Sequence, residues 1–128
     1  MVHLRPGDLF GSAWLVSFVE AWNSSDVTNA LAGLGSVSFT ITDRVHPDVA
    51  IGWSANGVAS LLDSGATTRI SLAAPYMVWM EFIDQTSSAP ALVLRGRMRV
   101  AGDAGWLLRY ASAFGALSRV ASDVPVQK

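Results

Sequence analysis

Hydrophobic positions recur along this chain with two periods, and the switches between them mark its elements. Over residues 9–23 the period is helical: Phe10, Trp14, Phe18 and Trp22 fall four apart on one slowly drifting stripe, widened by Leu15 and Val19. Ser12, Ser17 and Glu20 mark the wetter side. The Asp8 carboxylate can accept an orphan N–H of the opening turn, which predicts it as the cap. The polar run 23–26 ends this helix and can cap a short second one over 27–34, closed by Gly33 and Gly35.

The period then becomes two. Val37, Phe39 and Ile41 alternate with Ser38, Thr40 and Thr42, the pattern of a half-buried strand. Residues 43–48 read as a turn and 49–53 as a second strand with Val49, Ile51 and Trp53 on one face. Asn56-Gly57 is a pair favoured in tight hairpin turns. A third strand over 58–62 and a fourth over 67–72 follow, so consecutive meandering strands predict an antiparallel sheet. Pro75 suits the first turn of a helix, where its missing N–H costs nothing. That helix, 76–85, is apolar nearly all round, and Tyr76, Val78, Trp79, Met80, Phe82 and Ile83 cannot share one direction. It needs a second buried surface: another helix, a ligand cavity or a partner chain. Residues 91–94 read as a helical turn and 95–100 as a last strand. Asp103 can cap a final helix carrying Trp106, Leu107, Tyr110, Phe114, Leu117 and Val120, with Gly115 able to kink it.

Composition narrows the classes. The chain has 128 residues, 51% hydrophobic and 15% charged, against about 25% charged in an ordinary soluble domain. It is too apolar for disorder, and its length predicts one domain, 1–128. It has no cysteine, which removes disulfides and thiolate chemistry. The longest apolar stretch, 72–80, contains Pro75 and falls far short of the roughly 20 residues of a membrane span. A formal charge of −1 gives no basic stripe for nucleic acid. Neither end carries a leader or address signal, so a cytoplasmic location is expected by default. Eight arginines against one lysine, with abundant Ala and Gly, suggest a GC-rich bacterial source.

Candidate chemistry is sparse. Gly52 to Gly57 is spaced wrongly for a nucleophile elbow. His3 and His46 stand alone, and nothing has metal-ligand spacing; no metal and no cofactor are expected. Glu20 and Glu81, the only glutamates, can serve as acid or base if buried, which would raise their pKa. If 95–100 is a strand, Arg95, Arg97 and Arg99 share one face and Met98 and Val100 the other. Such a stripe can hold a carboxylate or phosphate, since Arg offers a bidentate fork; a solvated outer face is the plainer reading.

The segment 70–110 resembles the sterol carrier protein family of lipid-transfer domains, including its short single-domain bacterial members. The resemblance rests on Ala74-Pro75 at a helix start, Trp79 in mid-helix, Pro90 in the next loop, the run Arg95-Gly96-Arg97-Met98-Arg99-Val100, Gly102-Asp103, and Leu107-Leu108-Arg109-Tyr110. A helix ending at Trp22 followed by meandering strands also fits, so nearly the whole chain is covered. The chain departs from the family in lacking a glycine over 84–90 and the peroxisomal tripeptide of eukaryotic members.

The resemblance implies an α+β fold: a mostly antiparallel, mixed five-stranded sheet with helices packed on one side, enclosing an apolar tunnel. It implies non-catalytic binding or transfer of a fatty acyl, sterol-like or other lipid, with the C-terminal helix closing the cavity. The expected lining is Trp14, Phe18, Trp22, Met77, Met80, Met98, Leu108, Phe114 and Leu117, with Arg97, Arg99 and Arg109 toward a headgroup. Two alternatives stay open: a small enzyme using Glu20, Glu81, Tyr76 or Tyr110 in the same pocket, and an interaction module whose surplus apolar face pairs with a second copy or another protein.

Overall fold

The aromatic stripe of the first helix becomes a ladder in three dimensions. The computed structural model describes residues 9–44, 48–63, 67–87, 89–103, 105, 109–110 and 113–124. Helix α1 spans Ser12–Ser24, with Trp14, Leu15, Phe18 and Trp22 buried. Its rings follow one another: Phe10 meets Trp14 edge-on at 5.6 Å, Trp14 stacks on Phe18 at 5.4 Å, and Phe18 tilts against Trp22 at 6.3 Å. Trp22 meets Trp53 of the sheet edge-on at 6.2 Å. At the other end Phe10 reaches Phe39 and Trp79 at 5.6 and 5.1 Å. The helix begins three residues later than its pattern predicts, because Leu9 and Phe10 form a turn and Gly11 is the cap. Asp8, the expected cap, lies outside the described residues. Phe10 is held at φ +63°, a conformation that costs a bulky residue about 1–3 kcal/mol, offset by its contacts with the rings of Trp14, Phe39 and Trp79.

After α1 a 3₁₀ turn, Thr28–Leu31, replaces the predicted short helix. Five strands follow in part: β1 Gly35–Ile41, β2 Val49–Trp53, β3 Ala59–Leu62 and β4 Ile70–Ala74. Helices α2 Tyr76–Ile83 and α3 Ala89–Leu94 precede β5 Arg99–Gly102, and α4 spans Phe114–Ser122. The strand order is β3-β2-β1-β4-β5. The first three strands are the expected antiparallel meander. The fourth breaks it: β4 pairs parallel to β1 on its other side. Period-two patterning sets which face is buried, and does not choose between neighbours. The register Val37↔Ile70, Phe39↔Leu72, Ile41↔Ala74 puts all the bulky residues of both strands on the helix side. On the opposite face Ser38 Oγ donates to Ser71 Oγ at 2.8 Å.

The last strand is shorter than predicted. Residues 95–98 are a turn, and only Arg99 of the three alternating arginines lies in β5. The turn between β2 and β3 is also longer than a two-residue hairpin, since Trp53 and Ala59 are the paired residues that flank it. Gly57 there has φ +83°, and a Cβ on it would fall 1.8 Å from the Thr28 carbonyl oxygen. Trp22 Nε1 donates to the Gly57 carbonyl at 2.8 Å, and the Asn23 side chain brackets Ala59, accepting its N–H at 2.8 Å and donating to its carbonyl at 2.9 Å.

Five of the eight residues of α2 are buried. Part of the second surface its pattern demands is another helix, because α4 packs against both α1 and α2. Trp79 faces the sheet: its ring lies 5.8 Å from Phe39, and its Nε1 donates to the Thr40 carbonyl at 2.8 Å. One continuous cluster of buried apolar side chains lies between sheet and helices.

Gly57 therefore carries both a backbone and a packing requirement. Gly57→Ala is expected to destabilise the protein by more than about 2 kcal/mol. Gly96→Ala, with φ +72° in open space, should cost about 1 kcal/mol. Urea unfolding of the two variants checks the difference.

Candidate functional site

Where β4 ends and α2 begins, the sheet edge opens into a cleft of about 510 Å³, within the ~300–1,000 Å³ of small-molecule sites. Ala73, Ala74 and Pro75 carry the chain through it, and Met77 and Val78 of the first turn of α2 form one wall. Thr42, just past β1, and Gly96, Arg97 and Arg99 complete the lining. The junction is sharply built. Pro75 caps α2 with extended backbone, and its carbonyl accepts the N–H groups of Val78 and Trp79 at 3.0 and 3.1 Å. The Asp43 carboxylate accepts the Tyr76 N–H at 2.9 Å, and the Arg44 guanidinium sits 3.9 Å over the Tyr76 ring.

The arginine wall is positioned by the end of α3. Gly96 donates to the Val93 carbonyl at 3.0 Å and Arg97 to the Leu92 carbonyl at 2.9 Å. With Gly96 at φ +72° this is a Schellman closure, which satisfies the last helical carbonyls and reverses the chain. It explains why residues 95–98 are not a strand. A glycine directly after a helical turn is the sequence signal for it, masked here by the alternation of arginines.

Arg97 is then drawn away from its expected stripe. Its Nη1 and Nη2 donate to the two oxygens of Glu81 at 2.7 and 2.6 Å, a bidentate fork joining α2 to the turn before β5. The Arg97 hydrogen bonds, with its nearby charge, hold the Glu81 carboxyl below the usual value of 4.5, against a smaller opposing effect of desolvation; Ser87 and Arg95 add to the lowering. The same contact raises Arg97. Glu81 is thus an ionised structural partner, the reverse of the raised-pKa acid that an inward orientation would have made it. Arg99 stands opposite Ala73 in the β4–β5 register and makes no ion pair among the described residues.

The expected lining residues divide. Met77 lines the cleft and is 66% exposed. Trp14, Phe18, Trp22, Met80, Met98, Phe114 and Leu117 are buried in the core cluster and do not line it. Leu108 lies outside the described residues, as do His3, His46, Trp106 and Leu107. Arg97 and Arg99 line the cleft, whereas Arg109 does not. None of Glu20, Glu81, Tyr76 and Tyr110 lines it; Tyr110 donates its hydroxyl to the Ala32 carbonyl at 2.9 Å. Thr42, Ala73, Ala74, Pro75, Val78 and Gly96 also line the cleft, and the sequence named none of them as lining. No cluster of metal-ligating side chains and no helix long and apolar enough to cross a membrane occurs among the described residues.

A carboxyl held below its ordinary pKa stabilises the fold above the unfolded value, and that contribution fades as pH falls through the folded one. Glu81→Gln should lower the melting temperature at neutral pH. The gap to the parent should close as pH falls below about 4.5, as read by thermal melts across the acid range.

No protein-family model matches the chain, and no curated protein matches it. Solved structures do. A crystal structure of sterol carrier protein 2 superposes with a TM-score of 0.75 at 21% identity, covering 92% of this chain and 100% of that one. A conserved hypothetical protein from Thermus thermophilus gives 0.74 at 19% identity, covering 94% and 92%. Apo sterol carrier protein 2 from Yarrowia lipolytica gives 0.57 at 12% identity, covering 88% and 91%. The mixed five-stranded sheet, the helices on one of its faces and these superpositions agree: the chain has the sterol carrier protein 2 fold.

Proposed function

We propose that the protein binds a hydrophobic small molecule without chemically changing it, and carries it as one domain. The observation that supports this most is the cleft itself: an apolar lining of Ala73, Ala74, Met77 and Val78 beside two arginines, on a fold shared with proteins named as sterol carriers. Apolar burial supplies the affinity, at roughly 25 cal/mol per Å² of ligand surface removed from water, less the cost of ordering the ligand. Arg99 gives the site a preference for an acidic end group, because a guanidinium pairs with a carboxylate or phosphate through parallel hydrogen bonds.

The ligand chain runs inward from the cleft. Met98 lies in sequence between the two lining arginines and is buried, and Met80 lies one turn along α2 from Met77. Thioether side chains repack at low cost, so these two are the first to yield to an entering chain. Trp14, Phe18, Trp22, Phe114 and Leu117 form the deeper wall. The compartment is the cytoplasm of a bacterium on this reading.

Organic extraction of the purified protein followed by mass spectrometry tests the proposal directly, with displacement of a fluorescent fatty acid as the binding assay. Ala73→Trp fills the cleft and should weaken binding by at least about tenfold. Arg99→Ala should weaken a fatty acid by about tenfold and leave the corresponding alcohol nearly unchanged. A protein that yields no lipid on extraction and binds no added fatty acid or alcohol would remove the carrier reading.

A further inference from the structure

Three of the four indoles among the described residues give their N–H to backbone carbonyls: Trp14, Trp22 and Trp79, at 3.3, 2.8 and 2.8 Å. Trp53 is the exception. Its ring belongs to the core cluster and is 3% exposed. Its Nε1 is the one buried side-chain polar atom without a hydrogen-bond partner among the described residues. Native proteins pair nearly all such groups, and an indole nitrogen only donates, so this site lacks an acceptor. Its cross-strand partners, Gly35 and Ala59, bring no polar side chain. Trp22, which meets it edge-on at 6.2 Å, has its own N–H committed to the Gly57 carbonyl.

Trp53 stands at the far end of the sheet from the cleft. Ala73 of the cleft is opposite Thr40, and Trp53 is opposite Gly35, five positions away along β1. β2 and β4 flank β1, so strand rise and spacing put the two backbones about 19 Å apart. A long acyl chain covers half of the roughly 30 Å hydrocarbon core of a bilayer, and more when fully extended. One chain anchored by its acid at Arg99 therefore ends near the indole. We propose that Trp53 is the inner polar contact of the ligand site, and that the ligand carries a carbonyl oxygen toward its buried end. This deepens the carrier reading above and rests on it. A ketone oxygen accepts the indole proton and needs no acceptor in return, whereas a water brings two protons that need acceptors of their own.

Displacement of a fluorescent fatty acid from the full chain ranks three probes: hexadecanoic acid, and its analogues with a ketone near the tail or at mid-chain. The near-tail ketone should bind about fivefold or more tighter than the mid-chain one, whose oxygen is desolvated without a donor. Trp53→Phe keeps an aromatic ring and removes the N–H. It should bring the two ketones to within about twofold of each other and leave hexadecanoic acid nearly unchanged. Proton–nitrogen NMR of the parent protein gives a second readout that does not depend on the variant folding. The Trp53 indole signal, assigned through its contact with Trp22, should move downfield with the near-tail ketone and much less with hexadecanoic acid. Equal affinity for the two ketones, a preference that survives in Trp53→Phe, or an indole signal unmoved by bound near-tail ketone would overturn the proposal. Hexadecanoic acid that still binds in those cases would leave the carrier reading standing. Failure of all three probes to bind would remove the carrier reading and this inference with it.

Discussion

The fold hangs on indole N–H groups that leave a ring ladder and bond to distant backbone. Trp22 on α1 donates to Gly57 in the loop between β2 and β3, Trp14 on α1 to Val124 just past α4 at 3.3 Å, and Trp79 on α2 to Thr40 on β1. Each bond is made in an apolar surrounding, where an unmade one would cost about 1–3 kcal/mol. Ring burial drives the helices onto the sheet, and the N–H groups select one position along it. Trp53 shows the contrast. Its ring is packed against Trp22, while its Nε1 is buried with no partner among the described residues.

Fixing α1 and α2 in this way concentrates the irregular backbone at one end of the sheet. There β4 passes into α2 through Pro75, and α3 turns back through Gly96 into β5. The small residues Ala73, Ala74 and Gly96 bound the cleft there, together with Met77, Arg97 and Arg99. The Glu81–Arg97 fork joins α2 to the turn before β5. Because that fork holds Arg97, Arg99 is left as the lining guanidinium without an ion partner among the described residues. The apolar surplus of α2 is thereby shared between helix packing and an open site, with Met77 at the boundary.

The sequence was most legible where one residue's neighbours decide its environment. The i, i+4 stripe of α1, the alternation in β1 and the start of α2 at Pro75 all follow from local periodicity and dihedral limits. The segment 95–100 was less so. Alternating Arg and apolar residues satisfied a strand pattern, yet Gly96 and the carbonyls of α3 favoured a helix closure, whose hydrogen bonds outweigh alternation in a short exposed segment. Glu81 was similarly open: a carboxylate on an apolar helix is consistent with a buried acid or an ion pair, and only the arrival of Arg97 from another element settled which.

By itself, then, the sequence determined α1, α2, most strands, the buried faces of α1 and β1, and the resemblance that anticipated the architecture. Those properties depend on contacts a few residues apart or on side-chain hydrophobicity. Only the tertiary structure decided that β4 lies parallel to β1, that Arg97 pairs with Glu81, and that small residues from four segments bound a cleft. Those outcomes depend on which distant segments meet. The energies that choose among meetings, including shared ring burial, bidentate charge pairing and single indole hydrogen bonds, arise only when both partners are in place.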